Sequence, residues 1–188
     1  MGSVHYINGW GFDNPKFITE WEKHDVNMVY EAYYNNVIEM VKTGTYDVVA
    51  HIDLVKKFSF MPTRPFDNEI NTVIASVKKA GMLLEINTSG LRKPVHEIYP
   101  SEFILKVAKD YDVPVIVGSD AHRPQDVGAD FDKAKALLKK VGYKKTAIIE
   151  KRKIMSKTFF KIILFLVGAL YVANFLRVSI LVVLAYYY

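Results

Sequence analysis

Short apolar runs of strand type alternate with helix-periodic segments along the first 150 residues, and this alternation is what most constrains the fold. The runs are Asp47-Val48-Val49-Ala50, Met82-Leu83-Leu84-Glu85-Ile86, Val113-Pro114-Val115-Ile116-Val117 and Thr146-Ala147-Ile148-Ile149, with Ser3-Val4-His5-Tyr6-Ile7 a further candidate. Short continuous apolar runs suit strands covered on both faces, as in parallel sheets. Between them, Tyr30, Tyr33, Val37 and Val41 share one helical face that stops near Gly44. Ile70, Val73, Ile74 and Val77 share another, with Asp67 as the expected cap and Gly81 as the expected stop. Phe103, Ile104, Val107, Ala108 and Tyr111 make a third stripe after Pro100-Ser101, and Ala134, Leu137, Leu138 and Val141 a fourth, stopped by Gly142. Strands alternating with helices form βα units, so the expected class is α/β. The stretch 58–66, with Pro62 and Pro65, reads as a surface loop.

The chain of 188 residues is long enough for one domain with a real core, or for part of a larger one. It has no cysteine, which excludes disulfides and thiolate metal sites, so any metal must be held by His, Asp or Glu. The net charge of +5 does not imply nucleic acid, and no nucleic-acid partner is expected, because Lys and Arg crowd between Lys139 and Lys161. Composition changes near residue 158: Ile162 to Tyr188 contains a single charge, Arg177, and a single amide, Asn174. Three regions follow, namely a folded domain over residues 1–150, a basic linker over 151–158 and a hydrophobic transmembrane segment over 159–188.

Candidate chemistry collects at the ends of the strand-like runs. Ser3-Val4 is followed by His5, Val48-Val49-Ala50 by His51 and Asp53, and Val115-Ile116-Val117 by Gly118-Ser119-Asp120-Ala121-His122. In a parallel barrel the C-terminal ends of all strands lie on one face, where chemistry gathers. Separate strands would thus aim imidazoles and a carboxylate at one point, a donor set that suits zinc, manganese or iron. A single His after a strand is more often a hydrogen-bonded or exposed residue than a ligand. The recurrence of His and Asp at successive strand ends is what raises the metal reading to equal standing. His24, within Glu22-Lys23-His24-Asp25, and His96, in a loop, are expected to be ordinary polar residues.

The same segments resemble the polymerase and histidinol phosphatase (PHP) superfamily, specifically its histidinol-phosphatases. The resemblance is carried by Gly-Ser-Val-His-Tyr (2–6), Val-Val-Ala-His-Ile-Asp (48–53), Leu-Glu-Ile-Asn-Thr-Ser-Gly-Leu-Arg-Lys-Pro (84–94), Ile-Tyr-Pro-Ser (98–101) and Gly-Ser-Asp-Ala-His-Arg-Pro (118–124). Asp126-Val127-Gly128 and Phe131 continue it, and it covers about residues 1–150. It implies a distorted (β/α)7 PHP barrel, here partial, with two or three divalent metal ions (Mn, Zn or Fe). By motif, His5 and His51 are implied ligands of one metal, Asp120 of another and His122 of a further one, with Asp120 and His122 catalytic. The implied reaction is metal-dependent hydrolysis of a small phosphorylated substrate, histidinol phosphate, to histidinol in histidine biosynthesis. Arg92 is the expected phosphate clamp, since a planar guanidinium can bind two oxygens at once, and Arg123 a second phosphate-binding candidate. Glu85 and Asn87 flank the same strand end, where they shape the pocket or satisfy backbone groups. Another phosphoesterase of the superfamily and a non-catalytic membrane-tethered fragment are the alternatives.

The family's opening His-x-His pair and a bridging Glu ligand do not occur ahead of Ser3-Val4-His5. The resulting expectation is an N-terminally incomplete barrel, weakly active or inactive alone and open to a complementing N-terminal fragment. A misassigned start, a broken gene and half of a split protein all stand as origins. Residues 159–188 would make a helix about 45 Å long at about 1.5 Å per residue, enough for one tilted span of a roughly 30 Å hydrocarbon core. The basic cluster before it places the domain in the cytoplasm by the positive-inside rule, so a cytoplasmic domain anchored to the membrane is expected. Ala173-Asn174-Phe175-Leu176-Arg177-Val178 resembles the Asn-x-x-Arg helix of exosortases and archaeosortases, whose catalytic cysteine is not in this chain. A simple anchor and a fused gene fragment both remain open, with a buried core helix less favoured.

Overall fold

The computed structural model describes residues 1–150 and 153–158. The chain divides into two compact units, Met1–Tyr143 and Lys144–Tyr188. Among the described residues of the first, β1 (Val48–Val49), β2 (Leu83–Asn87) and β3 (Val115–Gly118) form one parallel sheet in the order β1-β2-β3. The register pairs Val49 with Leu84 and Leu84 with Val115. Every residue of β2 is buried, which is what a central strand with both faces covered requires.

The first residues do not form the strand that Ser3-Val4-His5-Tyr6-Ile7 suggests. Only Gly2 bridges Val49, in parallel, with Gly2 N–H donating to Val48 O (2.8 Å) and Ala50 N–H to Gly2 O (2.9 Å). The segment then turns at Asn8 and Gly9, both at positive φ, so pairing stops where the chain must reverse. His5 still emerges at the same end of the sheet as His51, because Gly2 runs alongside β1.

The crossovers are helical, as expected. α1 (Val26–Lys42) buries Tyr30, Tyr33, Val37 and Val41 together with Val29 and Tyr34, and is capped by Asp25, whose carboxylate accepts from Met28 N–H. α2 (Asp67–Lys79) buries Ile70, Val73, Ile74 and Val77 and ends just before Gly81. Asp67 is its first residue rather than its cap, a position Phe66 holds. α3 (Glu102–Asp110) buries Ile104, Leu105 and Ala108, whereas Phe103 and Tyr111 are exposed. The buried face is thus rotated by about one residue from the expected stripe. A nine-residue helix with apolar side chains on most sides lets packing, not period, choose the buried face. α4 (Phe131–Val141) ends at Gly142 in the left-handed conformation. Each helix packs on the next in sequence, and α4 also lies against β3. An aromatic cluster closes the core beside α1: Trp21 stacks on Phe60 with rings 4.8 Å apart and donates its indole N–H to Phe12 O (2.9 Å).

The second unit departs from expectation. The run at 146–149 lies in β4 (Lys145–Glu150), which pairs antiparallel with β5 (Lys153–Thr158) instead of extending the parallel sheet. Residues 153–158, expected from their charge to be part of a linker, form the strand β5. Closure of the parallel strands into a barrel is not seen among the described residues. No helix among them is long and apolar enough to cross a membrane, and the expected transmembrane segment, 159–188, lies outside the described residues.

Candidate functional site

A cavity of about 530 Å3 opens at the C-terminal ends of the parallel strands, lined by Met1, Ser3, His5, Asp13, Ala50, His51, Leu54, Lys57, Glu85, Asn87, Ser89, Lys93, Asp120 and His122. All four sequence-predicted ligands, His5, His51, Asp120 and His122, are in this lining. They arrive from three directions: the segment beside β1, the end of β1 and the loop after β3.

His51 is the most enclosed of them, at 6% exposure. Its ring meets that of His5 edge to face at 5.1 Å and that of Tyr99 at 6.4 Å. Burial drives its pKa down from 6.5 to about 4, with the nearby His5 adding to the effect and Asp120 and Asp13 opposing it. The imidazole is therefore neutral at pH 7, the form that ligates metals. Its Nδ1 is buried and has no hydrogen-bond partner among the described residues. The backbone of His51 sits at φ +23. Its N–H donates to Glu85 Oε2 (3.1 Å), and its carbonyl accepts from the Tyr33 hydroxyl (3.2 Å) and from Leu54 N–H (2.9 Å).

Asp120 also has positive φ and accepts from the Ser89 hydroxyl (3.1 Å). His122 stands at the mouth, its side chain 80% exposed, with Nδ1 3.0 Å from Asp120 O. His5 Nδ1 lies 3.2 Å from Asp13 Oδ2, and Lys57 Nζ lies 3.2 Å from the same oxygen while also donating to Asp13 O. Burial by itself would raise the Asp13 carboxyl, but the bonds from His5 and Lys57 together hold it below the usual range. Glu85 is pushed up by burial and by the Asp120 charge, against the pull of its bonds from Asn87 and His51 N–H.

The arginines do not join this group. Arg92 is outside the lining: its Nη2 donates to Ser119 O (2.7 Å), Nη1 lies 3.3 Å from Asp130 Oδ2 and Nε lies 3.6 Å from Asp126 Oδ1. Its fork braces the 119–130 loop. Arg123 is largely exposed and pairs with Asp126 at 3.3 Å, also outside the lining. The lysines at the cavity are Lys57 and Lys93, and the side chain of Lys93 is in no ion pair among the described residues. His24 stacks on Trp10 at 4.7 Å and His96 is exposed in a loop, both outside the lining.

Asp13, Lys57, Ser89 and Lys93 also line the cavity, and the strand-end pattern in the sequence does not point to them. Asp13 follows Gly9-Trp10-Gly11-Phe12 and precedes Asn14-Pro15, so it reads as a turn residue; a charge at the tip of an otherwise apolar loop was the available signal. The donor set fits divalent metal in type: imidazoles and carboxylates around one polar cavity, one imidazole held neutral with an orphaned ring nitrogen. In this arrangement no three His, Asp or Glu side chains among the described residues close on a single point.

A family model described as PHP-associated matches residues 102–129. A "probable histidinol-phosphatase" of Deinococcus radiodurans is 39% identical over 143 residues, which cover 76% of this chain and 54% of that protein. The histidinol-phosphatase of Bacillus subtilis is 30% identical over 149 residues, covering 69% of this chain and 54% of that protein. The chain spans about half the length of the curated relatives it matches. Among solved structures, the histidinol phosphate phosphatase of Lactococcus lactis, in complex with zinc, L-histidinol and phosphate, superposes with a TM-score of 0.64 at 22% identity, over 81% of this chain and 60% of that one. The α/β fold is similar to that of this phosphatase.

Proposed function

We propose that this chain carries a metal-dependent phosphomonoester hydrolase site whose substrate is histidinol phosphate and whose product is histidinol. The observation that carries the reading is the gathering of His5, His51, Asp120 and His122 around one cavity at the strand ends. The similarity to histidinol-phosphatases supports the substrate.

His5, His51, Asp120 and His122 would hold divalent ions, for which Zn, Mn and Fe all suit the donors. When bound, such ions supply an activated water and neutralise phosphate oxygens. The protein's own part is positional and electrostatic. Neutral His51 needs no deprotonation to ligate. Asp13 holds His5 by its ring nitrogen, as carboxylates orient ligating histidines elsewhere. Lys57 and Lys93 place cationic charge at the cavity wall, where a phosphate dianion would need it. Asp120 and His122 are the proposed catalytic pair, and the exposure of His122 leaves it free to adjust when substrate enters. The apolar composition of 159–188 and its basic flank support membrane anchoring, with the site on the cytoplasmic side.

The test is metal analysis of the full chain together with phosphate release from histidinol phosphate. Stoichiometric Zn, Mn or Fe, lost in His51→Ala and Asp120→Ala along with turnover, is the expected result. A second reading, a non-catalytic scaffold, rests on the failure of any three donors among the described residues to close on one point. A chain that binds no metal and releases no phosphate would establish that second reading instead. Turnover of a different phosphomonoester in preference to histidinol phosphate would point to another phosphoesterase of the same superfamily.

A further inference from the structure

We infer that Glu85 is a positioning residue: its carboxylate, on the central strand, sets where the His51 imidazole sits, and position 118 is glycine to leave room for it. The inference rests on the proposed metal-binding reading of the cavity and assigns Glu85 no contact with metal or substrate.

The local backbone states the need. A non-glycine residue at φ +23 is uncommon and strained, so it persists only where its surroundings fix it. The carbonyl side of His51 is fixed by the buried Tyr33 hydroxyl, held between His51 O and Leu54 N–H at 3.2 Å each. The N–H side is fixed by Glu85 Oε2 at 3.1 Å. Glu85 is itself only 5% exposed, an unusual place for a carboxylate unless its oxygens are occupied. Asn87, next on the same face of β2, donates its amide to Oε2 at 3.0 Å. Asn87 Oδ1 in turn accepts from Ser89 N–H (2.9 Å), and the Ser89 hydroxyl donates to Asp120 Oδ2 (3.1 Å). One line of hydrogen bonds thus leaves β2 in both directions. It reaches a candidate ligand after β1 and another after β3, the two strands that flank it.

Gly118 supplies the independent observation. A Cβ at that position would lie 2.3 Å from Glu85 Oε1 and 3.2 Å from its Cδ. Real contacts do not come that close, so any larger residue must displace the carboxylate. Gly118 has no positive φ to explain it, unlike Gly9, Gly44, Gly81, Gly128 and Gly142. The carboxylate beside it does.

The experiment uses the full chain as Glu85→Ala, Glu85→Gln, Gly118→Ala and the double variant Glu85→Ala/Gly118→Ala. Zinc affinity is read by competition with a chromophoric chelator. The 15N-labelled imidazole signals of His51 are read in the metal-free protein. Glu85→Ala and Gly118→Ala should each weaken zinc binding about 10–100-fold, the range for lost ligand-orienting partners. The double variant should bind no more weakly than Glu85→Ala, because Gly118→Ala acts only through the carboxylate. Glu85→Gln, which keeps an acceptor for His51 N–H, should return the His51 signals and most of the affinity. Parent-like affinity with unmoved His51 signals in Glu85→Ala, or additive losses in the double variant, would overturn the assignment. Should Glu85→Ala fail to fold, Gly118→Ala decides alone: parent-like affinity and His51 signals there also overturn it. A parent chain that binds no zinc refutes the metal reading, while the metal-free His51 signals still decide the positioning claim.

Discussion

Lys56 and Lys57 are adjacent residues of one type with opposite surroundings. In the 3-10 turn Leu54–Lys56, successive side chains point about 120° apart, so one lysine enters the protein and the next reaches the cavity. Lys56 Nζ lies 2.8 Å from Asp53 Oδ2 and 2.7 Å from Glu97 Oε2, with both Lys56 and Asp53 nearly inaccessible. Burial raises the Asp53 carboxyl, Lys56 opposes that, and Oδ1 has no hydrogen-bond partner among the described residues. Removing the cation would strand a buried carboxylate. Lys56→Met should therefore destabilise the fold by about 3–5 kcal/mol in urea titrations, and adding Asp53→Asn should recover part of that. His51 gives the pH prediction for the metal-free chain. Its folded pKa, about 4, lies below the unfolded 6.5, so the unfolded chain binds more protons between these values. The contribution is fully present above pH 6.5 and is lost as pH falls toward 4. Replacing His51 with Asn should flatten stability over that window, removing a slope worth at most about 3 kcal/mol. An unchanged slope would mean that the imidazole protonates in the folded chain as it does in water.

At the scale of elements, capping separates what side-chain chemistry suggests from what the chain does. Asp25 and Asp67 are both acidic residues at helix starts. Asp25 Oδ1 accepts from Met28 N–H at 3.0 Å, whereas Asp67 already has helical backbone and its carboxylate only faces the positive end of the helix. Asp25→Ala should cost about 1 kcal/mol and Asp67→Ala about 0.3 kcal/mol, measured as shifts in denaturation midpoint; equal losses would show that capping does not distinguish them. Strand pairing is the other case. The runs at 83–87 and 146–149 are alike in composition, yet one is central in a parallel sheet and the other in an antiparallel hairpin. Only two residues separate β4 from β5 along the sequence, too few for the long crossover that a parallel pairing requires, so the pairing is antiparallel.

For the whole molecule, the sheet acts as a frame that turns separate short motifs into one cavity. If the cavity holds metal, binding must stabilise the folded chain by mass action. Zinc or manganese at a hundredfold excess over its dissociation constant should add about 2.7 kcal/mol, seen as a raised melting temperature that a chelator reverses. A melting temperature indifferent to both metals and to chelator would remove the site. The sequence by itself determined the α/β class, the helices α1, α2 and α4, and the candidate donors His5, His51, Asp120 and His122, because period and strand ends are local properties written in the order of residues. Only the tertiary structure decided that Arg92 braces the 119–130 loop, since Asp126, Asp130 and Ser119 lie far from it along the chain. The same holds for Asp13 and Lys57 beside His5 and for Glu85 beneath His51. Each depends on which distant segments become neighbours, and burial, pairing and charge compensation act only between groups the fold has already brought together.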